Sequence, residues 1–196
     1  MSATRMLTLA EVAWPRAGVL RNVLLVVGAS LVTALAAQIA IPLPFSPVPL
    51  TGQTFAVLLS GAVLGARRAF LAQALYLLEG MAGLPFFAGG AAGAGILAGP
   101  TGGYLLAFPF AAFVTGALAR GGWDRRFATM LAAMLLGSLV IFGCGLAGLS
   151  RFVPAGRLLA LGLLPFLPGD AVKATLAAIA MPGVWRWLGR EDGIGR

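Results

Sequence analysis

Histidine is missing altogether from these 196 residues, and a single cysteine, Cys144, lies inside an apolar run. Without imidazole there is no His-based proton shuttle, no Ser–His or Cys–His nucleophile and no His-rich metal site. One thiol cannot build a disulfide framework or a cysteine metal site within one chain. Charge is also scarce, at 10% of residues against the roughly 25% of soluble domains. Lys173 is the only lysine, and no Gly-x4-Gly-Lys-Ser/Thr phosphate loop occurs. Any ATP used in the protein's work must therefore be bound by another polypeptide.

Apolar residues make up 60% of the chain, and the mean hydropathy is +0.96. Twenty charged side chains cannot keep that much apolar surface in water, so the expected solvent is lipid. The apolar runs are continuous rather than alternating, which excludes a barrel and predicts helices crossing a ~30 Å hydrocarbon core. The fold class expected is all-α: an integral membrane bundle of six transmembrane helices forming a single membrane domain over 1–196. Residues 1–21 read as a cytoplasmic or interfacial segment, 22–188 as the bundle and 189–196 as a cytoplasmic tail.

The first span runs from Asn22 to Ile41. Ala34-Leu35-Ala36 resembles a signal-peptide cleavage site, but no polar region follows it. Pro42 to Pro49 holds four prolines and reads as a stiff extended loop. The second span, short for a full crossing, runs from Thr51 to about Ala66 with Thr51 as its N-cap. The third covers Ala69 to Met81. The glycine- and proline-rich stretch from Ala82 to Gly103 cannot be a good helix, and such backbone survives at membrane depth only against protein or a cavity. Spans four, five and six are read at Thr101–Ala119, Phe127–Leu149 and Asp170–Leu188. Between the last two, the apolar stretch Leu158–Leu167 reads as dipping into the bilayer surface.

The net charge of +8 is arginine clustered between spans, which encodes topology rather than nucleic-acid binding. With the N-terminus inside, the inner segments hold Arg5, Arg16, Arg21, Arg67, Arg68, Arg120, Arg125, Arg126, Arg186, Arg190 and Arg196. The outer loops hold only Arg151 and Arg157. Both termini are thus expected in the cytoplasm, with the loop between helices one and two and the loop after helix three on the outer face.

In that topology helices two, four and six all begin outside, at Pro49-Leu50-Thr51, Pro100-Thr101-Gly102 and Pro168-Gly169-Asp170. Helix N-termini carry unpaired N–H groups and the positive dipole end, so three together favour an anionic ligand in an outer pocket. Asp170 and Lys173, at i, i+3, share one helix face. Ionisable groups in a membrane segment are costly unless paired, solvated or used. Two compatible readings stand: Asp170 caps the helix while Lys173 neutralises it or snorkels, or both touch ligand. Gln53 either binds ligand or satisfies loop backbone, and Tyr104 either faces a pocket or anchors at the interface. Glu79 reads as a solvated outer carboxylate; Gln38 and Gln73 read as bridges between helices. The spacings Ala36/Ala40 and Gly61/Gly65 suit close helix packing, or a docking face for another membrane subunit.

Four blocks, in order, are Pro47-Val48-Pro49-Leu50-Thr51-Gly52-Gln53-Thr54, Tyr76 through Phe87, Gly99-Pro100-Thr101-Gly102-Gly103-Tyr104 and Gly169-Asp170-Ala171-Val172-Lys173. Together they resemble the BioY family, the biotin-specific substrate-capture (S) components of energy-coupling-factor (ECF) transporters. The resemblance spans about residues 20–188. It implies a multi-pass protein of a bacterial-type cell (inner) membrane that binds biotin near the outer face, under the loop between helices one and two. It implies no catalytic residue, metal or resident cofactor, biotin being the transported ligand and ATP being used by partner subunits. Those partners are a transmembrane coupling subunit and two cytoplasmic ATPases, and some family members are thought to work without them. Asp170 and Lys173 map onto the family's biotin contacts, with Thr51, Gln53, Thr101 and Tyr104 as further polar candidates. Pro85, Phe86 and Phe87 are the apolar-wall candidates, and Ala29, Ala36 and Ala40 the candidates for docking the coupling subunit. Where some relatives carry polar or basic side chains, Ala88 to Gly95 has none, which leaves the carboxylate's partner there to backbone groups. An S component for thiamine, riboflavin or niacin is the nearest alternative; a membrane enzyme and a purely structural membrane partner are the others.

Overall fold

A computed structural model describes residues 6–15 and 18–191. Arg5, Arg16 and Arg196 of the topology count, and most of the tail, lie outside the described residues. The chain runs α1 (Leu9–Ala13), α2 (Val19–Gln38), β1 (Ala40–Leu43), β2 (Ser46–Thr51), α3 (Gln53–Leu64), α4 (Ala66–Met81), α5 (Gly102–Arg120), α6 (Phe127–Leu149), α7 (Leu158–Gly162) and α8 (Leu167–Glu191). Every span read from the sequence coincides with a helix, α2, α3, α4, α5, α6 and α8 in turn. Among the described residues, four helical segments, containing α2, α5, α6 and α8, are long and apolar enough to cross a membrane. The 12-residue α3 and 16-residue α4 are shorter.

The proline loop departs from a purely helical fold. Pro42 to Pro49 is extended as expected, but it pairs with itself as an antiparallel hairpin, Ala40 opposite Thr51 and Leu43 opposite Ser46. Proline removes a ladder donor and so tolerates only short or edge strands, and this ribbon is both. The all-α expectation is corrected by these two strands. Helix one also ends earlier than read, at Gln38, so Ala40 belongs to β1.

α5 is the central helix and packs against α3, α4 and α6; α2 lies against α4, and α8 against α6. Small residues set these spacings. A Cβ added at Gly61 would sit 2.6 Å from the Ala112 carbonyl, and one at Gly103 only 2.5 Å from the Cys144 carbonyl. The packing reading of Gly61 is the one realised. Gly65, at φ 78°, turns the chain from α3 into α4, a left-handed conformation that glycine adopts freely.

Polar side chains lock the bundle where dispersion alone would leave it slippery. Gln73 of α4 donates to Thr33 of α2 (3.1 Å) and Ser60 of α3 (3.0 Å), bridging three helices. Gln38 donates to the Ala34 and Pro85 carbonyls, tying α2 to the loop after α4. Glu79 is half-buried, and its Oε2 is enclosed without a hydrogen-bond partner. The reading of Glu79 as a freely solvated carboxylate is therefore corrected.

One end of the bundle gathers arginines. Glu11 of α1 accepts from Arg68 (3.2 Å) and Arg120 (3.1 Å), and Arg21 donates to the Trp14 carbonyl (2.6 Å). Nearby, the 3-10 turn Trp123–Arg125 buries Asp124, which accepts from the Trp185 indole at 2.6 Å. The Arg125 guanidinium lies 4.2 Å from the centre of that indole, within cation–π range.

Candidate ligand-binding site

At the opposite end the first turns of α3, α5 and α8 converge. They enclose a cavity of about 220 Å³ whose walls also include β2 and the loop Phe87–Ile96. The loop can line a cavity because its glycines turn it where no helix could go. Gly83, Gly89, Gly90 and Gly93 all have positive φ.

Asp170, Lys173, Gln53, Thr51, Thr101, Tyr104 and Phe87 all line this space. Pro85 and Phe86 do not. Pro85 is exposed, with its carbonyl held by Gln38, and the Phe86 carbonyl accepts from the Tyr76 hydroxyl at 3.0 Å. The apolar walls are instead Phe108 of α5, Ile141 and Phe142 of α6, Phe166 before α8, and Phe87, with Tyr104 tilted against Phe166.

Asp170 is only 8% exposed, and its Oδ1 accepts from Ser138 of α6 at 2.8 Å. It does not cap α8, which begins three residues earlier at Leu167. Lys173 Nζ donates to the Thr51 carbonyl (2.7 Å) and to Thr54 Oγ1 (2.9 Å). Although the two are helical neighbours, no ion pair joins them among the described residues. Asp170 Oδ2 and the third ammonium proton of Lys173 therefore have no side-chain partner of their own. A carboxylate accepts several hydrogen bonds and an ammonium donates three, so each has capacity left for a ligand.

Around this pair most of the other polar groups are already engaged. Gln53 is buried, donates from Nε2 to the Tyr76 hydroxyl, and accepts at Oε1 from Thr51 Oγ1 at 3.0 Å. Thr51 is thus no N-cap; Gly52 holds that position, without a side-chain cap. Thr101 does stand at the N-cap of α5, also without a side-chain hydrogen bond. Tyr104 donates to the Gly162 carbonyl at 2.7 Å, so its hydroxyl fixes α7 while its ring faces the cavity. Tyr76, Thr54, Ser138 and Phe108 escaped the sequence reading. Tyr76 lay inside a quoted block, and Ser138 is a lone hydroxyl in an otherwise apolar run.

Ala29 and Ala36 are half-buried, Ala29 against the core and Ala36 with its carbonyl pressed on Gly52. The outward face of α2 carries the exposed Val19, Leu20, Val23, Leu24, Leu31, Val32 and Leu35.

The family model described as the BioY family matches residues 4–190. The chain belongs to the BioY family. It is 38% identical over 159 residues to the biotin transporter BioY of Rhizobium etli, covering 77% of this chain and 85% of that protein. It is 41% identical over 140 residues to the biotin transporter BioY of Thermotoga maritima, covering 71% and 82%. The fold matches the crystal structure of the S-component for biotin from an ECF-type ABC transporter. The TM-score is 0.76 at 25% identity, over 85% of this chain and 92% of that one. These neighbours are transport proteins, not enzymes.

Proposed function

We propose that this chain takes up biotin, binding it in the cavity between α3, α5 and α8. The observation that carries the reading is a buried acid and a half-buried amine, each with free hydrogen-bonding capacity, set in an aromatic-walled cavity. Biotin offers a ureido group with N–H donors, a thioether-containing bicycle and a valerate carboxylate. The carboxylate of Asp170 suits the ureido donors and the ammonium of Lys173 suits the valerate. Phe87, Phe108, Phe142 and Phe166 suit the bicycle. A charged contact inside a low-dielectric cavity is stronger than in water, which favours tight capture.

The arginine-rich end is the cytoplasmic one under the positive-inside rule. The cavity then opens outward, and α3 and α4 complete a six-helix crossing of the cell membrane. Biotin capture outside and release inside follow from the chain acting as the S component of an ECF-type transporter, or alone. Its partners in the first mode are a transmembrane coupling subunit and two ATPases that bind the nucleotide. Docking on α2 uses its outward face, and the burial of Ala29 and Ala36 favours the neighbouring Leu24, Gly28, Leu31 and Leu35.

Equilibrium binding of labelled biotin to the detergent-purified chain tests the assignment. Saturable binding displaced by unlabelled biotin, and not by thiamine, riboflavin or niacin, is expected. Displacement by one of those vitamins and not by biotin would reassign the ligand.

A further inference from the structure

On the exterior of the bundle between α4 and α5 lies a second concavity, of about 500 Å³, lined by Phe70, Leu71, Phe110 and Phe113 with Arg67. It shares no residue with the cavity at the other end. Arg67, Phe70 and Leu71 fall at i, i+3 and i+4 on α4, and Phe110 and Phe113 at i, i+3 on α5, so each helix offers one coherent face. Phe70 meets Phe110 edge-on, with ring centres 5.6 Å apart, which floors the groove with aromatic carbon. Gly116 of α5 abuts the Gly65–Ala66 backbone, so the two helices close together at the arginine-rich end and Arg67 stands at that rim. From there Phe110 is six residues along α5, roughly 9 Å deeper into the bilayer.

Arg67 is the arginine that lines this groove, and it is unspent. Arg68 and Arg120 hold Glu11, Arg21 holds the Trp14 carbonyl and Arg125 covers Trp185. Arg67 is exposed and makes no hydrogen bond or ion pair among the described residues. Guanidinium binds phosphate with two parallel hydrogen bonds, and basic pockets between membrane helices on the cytoplasmic side are suited to anionic headgroups. An apolar trough ending in one free guanidinium matches a molecule with a long hydrocarbon tail and an anionic head. We propose that the α4–α5 groove seats an acyl chain of an anionic phospholipid, with Arg67 on its phosphate. A zwitterionic lipid brings its own ammonium to an arginine-rich rim and gains less.

Native mass spectrometry of the full detergent-purified chain, with phosphatidylglycerol or phosphatidylcholine of identical acyl chains, tests this without reference to biotin. The wild type is expected to retain the anionic lipid about fivefold better, the scale of one arginine at an anionic surface. Arg67→Ala and Arg67→Gln should bring the two lipids to parity. Arg126→Ala, an exposed arginine at the same end of the bundle that does not line the groove, should leave the preference intact, and Phe113→Ala should weaken retention of both lipids. Equal retention by the wild type, or equal losses in Arg67→Ala and Arg126→Ala, would overturn the proposal. So would a dimer abolished by Phe113→Ala, which would give the groove to a second copy.

Discussion

The two ends of the bundle use similar side chains to opposite effect. At the arginine-rich end, Glu11 is shared by two guanidinium groups and Asp124 is locked to an indole under a third. At the cavity end, Asp170 and Lys173 sit one turn apart yet form no ion pair among the described residues, their hydrogen bonds going to Ser138 and to Thr51 and Thr54. A charge satisfied by its opposite is a fastener. A charge satisfied only by hydroxyls and a carbonyl is still available to a ligand. The difference teaches that burial alone does not mark a binding site; unspent hydrogen-bonding capacity facing a cavity does.

The comparison is broken most directly at the cavity. Asp170→Ala or Lys173→Ala is expected to weaken biotin binding by roughly 1–3 kcal/mol, the penalty of removing one partner of a desolvated polar contact. Titration calorimetry should show this with little change in melting temperature. A loss of melting temperature matching the loss of affinity would instead make the pair a fastener like the other end. Tyr76→Phe tests the scaffold behind the cavity, since it strips the partner from the buried Gln53 amide and the Phe86 carbonyl. Melting temperature should fall by the equivalent of about 1–2 kcal/mol.

At the opposite end, Glu11→Ala should cost about 1 kcal/mol of stability, because the pairs are only partly shielded from water. Biotin affinity should not change. Burial alone would raise the Glu11 pKa, but the Thr8 N–H, Arg120 and Arg68 together hold it below the ordinary 4.5. A depressed value means that its stabilisation is complete above pH 4.5 and disappears as pH falls through the folded value. Thermal melts in acid should therefore drop less steeply for Glu11→Gln. Asp124 has the opposite sign: burial raises it above 3.8 despite the Trp185 N–H and Arg125. Its ionisation removes stability as pH rises through the folded value. Asp124→Asn, whose amide oxygen can still accept from Trp185, should gain a few tenths of a kcal/mol at neutral pH, the smallest effect of the set. A loss there would show that the charge itself fastens α8.

Positions along the chain were largely legible before any coordinates. Length and composition mark the helices, proline density marks the extended loop, and three proline-led helix starts foretell which ends meet. Asp170 and Lys173 stand out because ionisable residues in lipid-facing runs are rare. What stayed hidden has one physical cause. In lipid both faces of a helix are apolar, so the contrast that separates core from surface in water is missing. Nothing in the sequence distinguishes Phe108, which walls the cavity, from Phe110 two residues on, which is 57% exposed. The same blindness put Pro85 and Phe86 in the wall. Strand pairing in the proline loop was hidden for another reason: the residues demand extension but do not encode a partner.

Lys173 also holds down the inner end of the proline hairpin, through the carbonyl of Thr51. The far side of that ribbon is pinned separately, by Ser46 Oγ on the Leu161 carbonyl at 2.7 Å. An incoming carboxylate that draws the ammonium toward itself would use its last proton, or take one from Thr54 of α3 or from the strand. In the last case occupancy would unlatch one edge of the cover while its other edge stays tethered, joining arrival of the cargo to the swing of a door.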